Sequence, residues 1–220
     1  MLVYSRPQMT PAQTEQPQRQ QQDPDALVRF GGRLFRQRTW LPVPFALALL
    51  LVPSPPSSPA LLWTGAAAVS AGELLRLWAV RHIGVISRTR SERLGPLIST
   101  GPFGWVRNPL YIGNLALWAG FTMSAGLVCL LPPIVLLLAI EYHVIVRWEE
   151  GLLDARLGET YRVYASRVPR WVPRTWSAGG RHTWHAAGRT FSWAETLFSE
   201  RGTLAAIGAG YFVLWVKHQI

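Results

Sequence analysis

Two polar strips of the chain carry the side chains best suited to chemistry, and they lie about 40 residues apart. The first strip, residues 98–111, ends in Arg107-Asn108-Pro109-Leu110-Tyr111. Asn108 followed by Pro109 is typical of a helix N-cap and first helical position. Free backbone N–H groups and the positive end of a helix dipole should therefore lie beside the Arg107 guanidinium. Such a cluster suits a carboxylate or a phosphate.

The second strip, residues 149–173, begins with the adjacent acids Glu149 and Glu150. Neighbouring residues on a helix point about 100° apart, so one carboxylate can face a site while the other faces an arginine. An ammonium, a sulfonium or ribose hydroxyls are ligands for such an acid. Ordinary interpretations stay open beside these: a plain helix cap with a flanking arginine, and surface pairing of the acids with Arg147 or Arg156.

Two apolar runs between the strips must position them. Residues 110–126 give 17 residues, or about 25 Å of helix, and residues 127–148 give 22 residues, or about 33 Å. Both lengths are close to the roughly 30 Å thickness of a bilayer's hydrocarbon core. With a turn at 124–126, the two helices run antiparallel and their outer ends meet. The geometry predicts that Arg107, Asn108 and Tyr111 lie beside Glu149 and Glu150 at one membrane face.

The composition favours a membrane protein. Only 15% of the 220 residues are charged and 49% are hydrophobic, against about 25% charged residues in soluble domains. We therefore expect an all-α, polytopic membrane helix bundle of four or five transmembrane helices, with a cofactor pocket at the cytoplasmic face. The net charge of +10 fits arginines that flank membrane segments better than it fits nucleic-acid binding, so no nucleic-acid partner is expected. A single cysteine excludes an intramolecular disulfide, and no metal site is expected.

The chain divides into three expected parts. Residues 1–26, rich in Gln and Pro, predict a disordered tail; residues 27–175 form the membrane core; residues 176–220 form a connection with a short hydrophobic helix. The core begins with a basic amphipathic segment at 26–38. Spans are predicted at 40–52, 60–80, 110–126 and 127–146, and the run at 203–216 is a possible fifth; whether 40–52 and 203–216 cross the bilayer is left open.

Two further features bear on function and topology. Glu73 and Arg76 lie on one face of the span at 60–80, and we interpret them as a self-neutralising pair. The aromatic residues near the interface are expected to be anchors: Tyr111, Tyr161, Tyr164 and Trp171. Arginine-rich loops around both strips place the N-terminus and the site in the cytoplasm, in what we expect to be a bacterial inner membrane.

Both strips resemble motifs of one enzyme family, over roughly residues 60–175. Gly101-Pro102-Phe103-x-x-Val106-Arg107-Asn108-Pro109-Leu110-Tyr111-x-Gly113 resembles the first motif of the isoprenylcysteine carboxyl methyltransferase and phospholipid methyltransferase family. The second motif of that family is similar to Glu149-Glu150-x-Leu152-Leu153-x-x-x-Leu157-Gly158-x-x-Tyr161-x-x-Tyr164-x-x-x-Val168-Pro169-Arg170. Departures are modest: Asn108 stands where many members have histidine, and Leu157 replaces a common phenylalanine.

The resemblance implies an integral membrane methyltransferase that uses S-adenosylmethionine. Its acceptor would be the carboxylate of a prenylated cysteine or the amine of a lipid headgroup, so the expected partners are a lipid-like or prenylated substrate and membrane lipids. By this resemblance Arg107 and Glu150 would be the catalytic residues. The cofactor would also contact Ile98, Asn108, Tyr111 and Glu149. The identity of the acceptor, O- versus N-methylation and the oligomeric state are left open.

Two alternatives from other classes are kept. Sterol and steroid reductases have a similar C-terminal hairpin and bind NADPH there. Two features argue against a reductase. The chain is short, and its acidic pair is Glu-Glu with Leu152 after one residue, whereas the reductases have Asp-Glu followed by Cys. The second alternative is a membrane protein without catalytic activity.

Overall fold

The computed structural model describes residues 26–38, 40, 42–54, 57–84, 97–173 and 190–219. All regular structure in these ranges is helical, which confirms the predicted all-α fold. The α-helices are α1 Ala26–Gln37, α2 Val43–Leu51, α3 Pro59–Ile83, α4 Pro109–Ser124, α5 Leu131–Leu157, α6 Glu159–Arg167 and α7 Trp193–Lys217. Short 3-10 turns at Gly101–Gly104 and Val128–Leu130 precede α4 and α5. The predicted disordered tail, apart from Ala26, lies outside the described residues.

Helices α4 and α5 form the predicted hairpin. Gly126, with φ 73°, takes the left-handed conformation that a glycine tolerates best, and the Leu127 N–H donates to Thr122 O at 3.2 Å. Helix α5 continues beyond the acidic pair, so Glu149 and Glu150 lie within it. Within the described residues, Val128–Leu157 is the one segment with the length and hydropathy of a membrane span. The number of spanning helices therefore stays a prediction.

Helix α3 lies against α4 at backbone contact distance. A Cβ on Gly72 would lie 2.7 Å from Gly113 O, and one on Gly120 would lie 2.5 Å from Gly65 O. Four glycines thus let the two helices approach more closely than side chains would allow, as small residues do where membrane helices cross. This close packing brings Arg76 of α3 next to the helix that starts at the first strip.

Two predicted helices have a different length in the structure. Helix α2 has 9 residues, or about 14 Å, which is about half the hydrocarbon thickness; the predicted span over 40–52 is therefore not formed by this helix. Helix α7 has 25 residues, or about 38 Å, so it is longer than the short helix predicted near the C-terminus. A capping box between Ser192 and Glu195 begins it, which extends the helix N-terminally past the apolar run.

Helix α1 packs on the half of α5 that leads to the acidic pair. A Cβ on Gly31 would lie 2.6 Å from Val144 O, and the rings of Phe35 and Trp148 have centroids 4.9 Å apart. The predicted amphipathic segment is thus helical, and it buries Phe35 on the protein while Phe30 is half exposed. Its position at a membrane surface stays a prediction.

Candidate active site

The two strips are joined by hydrogen bonds, because α6 folds back after Gly158 and returns the chain to the start of α4. The Arg107 N–H donates to Pro169 O at 2.8 Å, and Asn108 Nδ2 donates to Arg170 O at 3.2 Å. Deeper in the protein, the buried Tyr164 hydroxyl donates to Phe103 O at 2.7 Å. These bonds hold the backbone of one strip against that of the other.

The outer ends of the hairpin meet as predicted. Arg107 Nη1 lies 2.8 Å from Glu150 Oε1, and the Tyr111 hydroxyl donates to Glu149 Oε1 at 3.0 Å. The two acids diverge, as their helical spacing requires. Neither partner is Arg147 or Arg156, the surface arginines that the ordinary interpretation would use.

The Glu150 carboxylate binds two arginines. Besides Arg107, it accepts from Arg170 Nη2 at 2.5 Å and from Arg170 Nε at 3.0 Å. Two guanidinium groups against one carboxylate give this cluster a formal charge of +1. The Arg107 and Glu150 side chains are only 15% and 13% exposed, and Arg107 Nε is buried without a hydrogen-bond partner among the described residues. The cluster therefore favours an additional anionic group.

Tyr161 completes this arginine–glutamate cluster. Arg107 Nη1 donates to the Tyr161 oxygen at 3.5 Å, and burial, reinforced by the charge of Glu150, raises the pKa of Tyr161. Burial also raises the pKa of Tyr164 well above its ordinary value, so both phenols are neutral at physiological pH. The expectation that both tyrosines are interfacial anchors is wrong, since both side chains are buried.

Sequence reasoning missed Arg170 and Tyr161 as site residues. Both lie in the second motif, so the motif itself was the available signal. A stretch of sequence does not show, however, that α6 turns the chain back onto the first strip. The role expected for Asn108 is also changed: it occupies the N-cap position of α4, but its side chain makes no capping bond and binds the second strip instead.

A cavity of about 1110 Å³ opens beside this cluster. It is lined by all six residues that the sequence proposed for the site: Ile98, Arg107, Asn108, Tyr111, Glu149 and Glu150. Its other walls are largely apolar and come from α2, α4 and α7, including Ala46, Leu49, Leu117, Trp118, Ala206 and Val213. The volume slightly exceeds the range of about 300–1,000 Å³ for ligand pockets. Space is therefore available for a polar ligand and an apolar chain together.

A second ionic cluster lines the same cavity. Arg76 Nη2 lies 2.5 Å from Glu200 Oε2 and 3.2 Å from Thr203 Oγ1, and Nε lies 3.3 Å from Glu73 Oε2. Arg76 Nη1 also donates to Asn114 Oδ1. The predicted pairing of Glu73 with Arg76 is present, but its interpretation as a self-neutralising pair is incomplete, because a second carboxylate from α7 binds the same arginine.

The fold and the site define a helical protein whose apolar hairpin supports a partly ionic, partly apolar ligand cavity. Residues 60–160 match the family model described as phospholipid methyltransferase. This segment is similar to that family, as the resemblance of the two strips predicted. The match supports a membrane-associated methyltransferase in general.

Two curated relatives are bacterial metal-resistance proteins. The chain is 29% identical to the cobalt-zinc-cadmium resistance protein CzcN of Cupriavidus metallidurans over 58% of this chain and 56% of that protein. It is 32% identical to the nickel-cobalt-cadmium resistance protein NccN of Alcaligenes xylosoxydans xylosoxydans over 53% of this chain and 52% of that protein. The chain thus spans about half the length of the curated relatives it matches. No solved structure matches the chain.

Proposed function

We propose that the protein is an integral membrane methyltransferase that uses S-adenosylmethionine and acts on a lipid-like or isoprenoid-linked acceptor. The observation that carries this proposal is the pair of Arg107 and Glu150, bound from behind by Arg170, at the wall of a largely apolar cavity. A site with charged groups at one end and apolar walls elsewhere suits one polar and one lipid-like reactant. We place it at the cytoplasmic face of a bacterial inner membrane, where the arginine-rich loops would lie.

The residues present fit the cofactor. The cluster has one positive charge in excess and a buried Arg107 Nε without a partner among the described residues, which suits the carboxylate of an amino acid. Glu149, bonded to Tyr111, offers a carboxylate for an ammonium or a ribose hydroxyl. Ile98 and Phe103 supply apolar wall for a purine ring.

The proposed role of these residues is chiefly positioning. When bound, S-adenosylmethionine supplies a methyl group on a sulfonium, and the acceptor must approach that carbon in line. Holding both reactants in one orientation and excluding water account for much of the rate gain in such a transfer. Arg107 would orient a carboxylate acceptor, whereas an amine acceptor must lose a proton, which Glu150 could accept.

Transfer of a radioactive methyl group tests the proposal. Purified protein in bilayer nanodiscs is incubated with S-adenosylmethionine labelled with tritium in the methyl group and with extracted bacterial lipids, and the lipid phase is counted. We expect label in the lipid phase with wild-type protein and background counts with Arg107→Ala protein of equal expression. Consumption of NADPH without methyl transfer would favour the reductase. If neither reaction is detected, the result would favour a non-catalytic membrane protein.

A further inference from the structure

The part of the cavity that leads away from Arg107 and Glu150 forms an apolar arm between α2, α4 and α7. Its far end is lined by the last cavity residues of these three helices: Leu49 and Leu50 of α2, Trp118 and Phe121 of α4, and Val213 and Leu214 of α7. Helices α2 and α7 both lie outside the segment 60–160 that matches the family model. Two of the three walls of the apolar arm are therefore supplied by regions outside the match.

A lysine ties α2 to α7 just beyond the far end of the apolar arm. Lys217 Nζ donates to Leu49 O at 2.8 Å and to Val52 O at 2.7 Å. These carbonyls lie at the C-terminal end of α2, where a helix leaves such groups without an intrahelical partner. The ammonium group therefore fixes the end of α2 against α7.

Two further hydrogen bonds close the same end on the side of α4. The hydroxyl groups of Ser124 and Tyr211 lie 3.2 Å apart, which joins the end of α4 to α7. Ser54, which follows α2, donates from Oγ to Ala125 O at 2.8 Å, at the turn of the hairpin. The apolar arm therefore ends at a polar layer that links all three helices, and a hydrocarbon chain could extend through this layer only by breaking these bonds.

Two leucines form the apolar floor next to this polar layer. Leu49 and Leu214 line the cavity, each is only 5% exposed, and both belong to one buried cluster with Ala125 and Leu127. Lys217 follows Leu214 by three residues, and one of its two bonds is to the Leu49 carbonyl. The position of the floor is thus fixed by that bond, and its dense packing leaves little room for extra methylene groups.

The length of the apolar arm follows from the rise of its two long helices. From Tyr111, which binds Glu149, to Phe121 is 10 residues of α4, or about 15 Å. From Thr203 to Leu214 is 11 residues of α7, or about 17 Å. Both values are about half of the roughly 30 Å hydrocarbon core of a bilayer. The extended chain of decanol fits within this length, whereas that of hexadecanol exceeds it.

We propose that the closed end of the apolar arm limits the chain length of the acceptor. Leu49 and Leu214 set the limit, and Lys217 holds them in place. This inference rests on the proposed function and deepens it, because it states which lipid-like acceptors fit the cavity. An acceptor with an extended chain longer than about 17 Å would have to displace the floor or break the polar layer.

Binding of two alkanols of different chain length tests the limit. The full chain in nanodiscs is given decanol or hexadecanol at equal mole fraction in the bilayer, so that partition into the lipid does not differ. The affinity is taken from the rise in melting temperature, because a ligand that binds the folded state stabilises it. We expect hexadecanol to bind wild-type protein about tenfold or more weakly than decanol, because its extra methylene groups overpack the floor. In Leu214→Ala protein, which has a space at the floor, the difference should fall below about threefold.

The controls separate the floor from the rest of α7. Leu204→Ala makes the same change at a side chain that is 36% exposed and is not among the residues that line the cavity, so it should keep the wild-type difference. If Leu214→Ala does not fold, Leu50→Ala changes the same end of the apolar arm at a side chain that is 37% exposed, and it should reduce the difference in the same way. Absence of decanol binding, equal affinities of the two alkanols in the wild type, or an unchanged difference in the folded floor variant would overturn the proposal.

Cofactor binding, measured in the same samples, separates this inference from the proposed function. If S-adenosylmethionine binds to the wild type but hexadecanol binds as tightly as decanol, the chain-length limit alone is wrong. If the wild-type protein does not bind S-adenosylmethionine, the proposed function is wrong whatever chain length is preferred.

Discussion

Glu150→Gln is the substitution that tests the cofactor cluster most sharply. The amide has nearly the same shape as the carboxylate but removes the charge that holds two arginines. It keeps one acceptor oxygen, so either Arg107 or Arg170 loses its partner. The formal charge of the cluster rises from +1 to +2, and the two guanidinium groups repel each other across a neutral side chain.

The expected effect follows from the contacts. Glu150 lies 2.8 Å from Arg107 and 2.5 Å from Arg170, and its side chain is 13% exposed, so solvent screening is limited. Hydrogen bonds between charged groups contribute about 1.5–3 kcal/mol each. Weakening two of them should remove about 3 kcal/mol of transition-state stabilisation, which is a loss of about 100-fold in methyl transfer.

The assay is tritium transfer from labelled S-adenosylmethionine to lipid in nanodiscs, with circular dichroism and a thermal melt as checks on folding. Glu159→Gln serves as the matched control, because it makes the same chemical change on an exposed face of α6. A folded Glu150→Gln protein with activity within about threefold of wild type would refute the reasoning.

Three other predictions follow from single contacts. Gly113→Ala should destabilise the protein by about 1–3 kcal/mol, because the new Cβ would lie 2.6 Å from Arg76 Cγ. A Cβ at Gly151 would meet nothing within 4 Å, so Gly151→Ala should be neutral or stabilising by up to about 1 kcal/mol. Thermal melts in which Gly151→Ala is the less stable of the two variants would contradict the packing. Tyr164→Phe removes a buried 2.7 Å hydrogen bond to the first strip, so the melting temperature should fall by about 2–4 °C; no change would mean that this bond does not stabilise the fold. Ala206→Phe fills the apolar part of the cavity, so methyl transfer to long-chain acceptors should fall more than transfer to short-chain ones, and equal losses would argue against a chain in that part.

The hairpin and the meeting of its ends were predictable from sequence. The lengths of the apolar runs, the Asn108–Pro109 helix start and the adjacent acids were enough to place Arg107 beside Glu150. These features are local, or depend only on the antiparallel return of one helix. The same reasoning could not find Arg170 as a partner of Glu150, because that contact depends on the reversal of the chain at Gly158.

The ion pairs of Arg76 with Glu73 and Glu200 show a second limit of prediction from sequence. The i, i+3 spacing correctly predicted contact between Glu73 and Arg76. Glu200, however, is 124 residues from Arg76, and only the packing of α7 against α3 brings them together. The sequence also suggested a short terminal helix, because the apolar run at 203–216 is 14 residues long. In the structure one continuous helix starts at the Ser192 capping box, ahead of that run.

Binding of S-adenosylmethionine to the purified protein tests the central claim most directly. The radiolabelled cofactor is titrated into wild-type and Arg107→Ala protein in nanodiscs, with NADPH as competitor. We predict saturable binding of one cofactor per chain in the wild type, at least tenfold weaker binding in the variant, and no displacement by NADPH. Absence of saturable binding to the wild type, equal binding to both proteins, or displacement by NADPH would contradict the assignment of this cavity to a methyl donor.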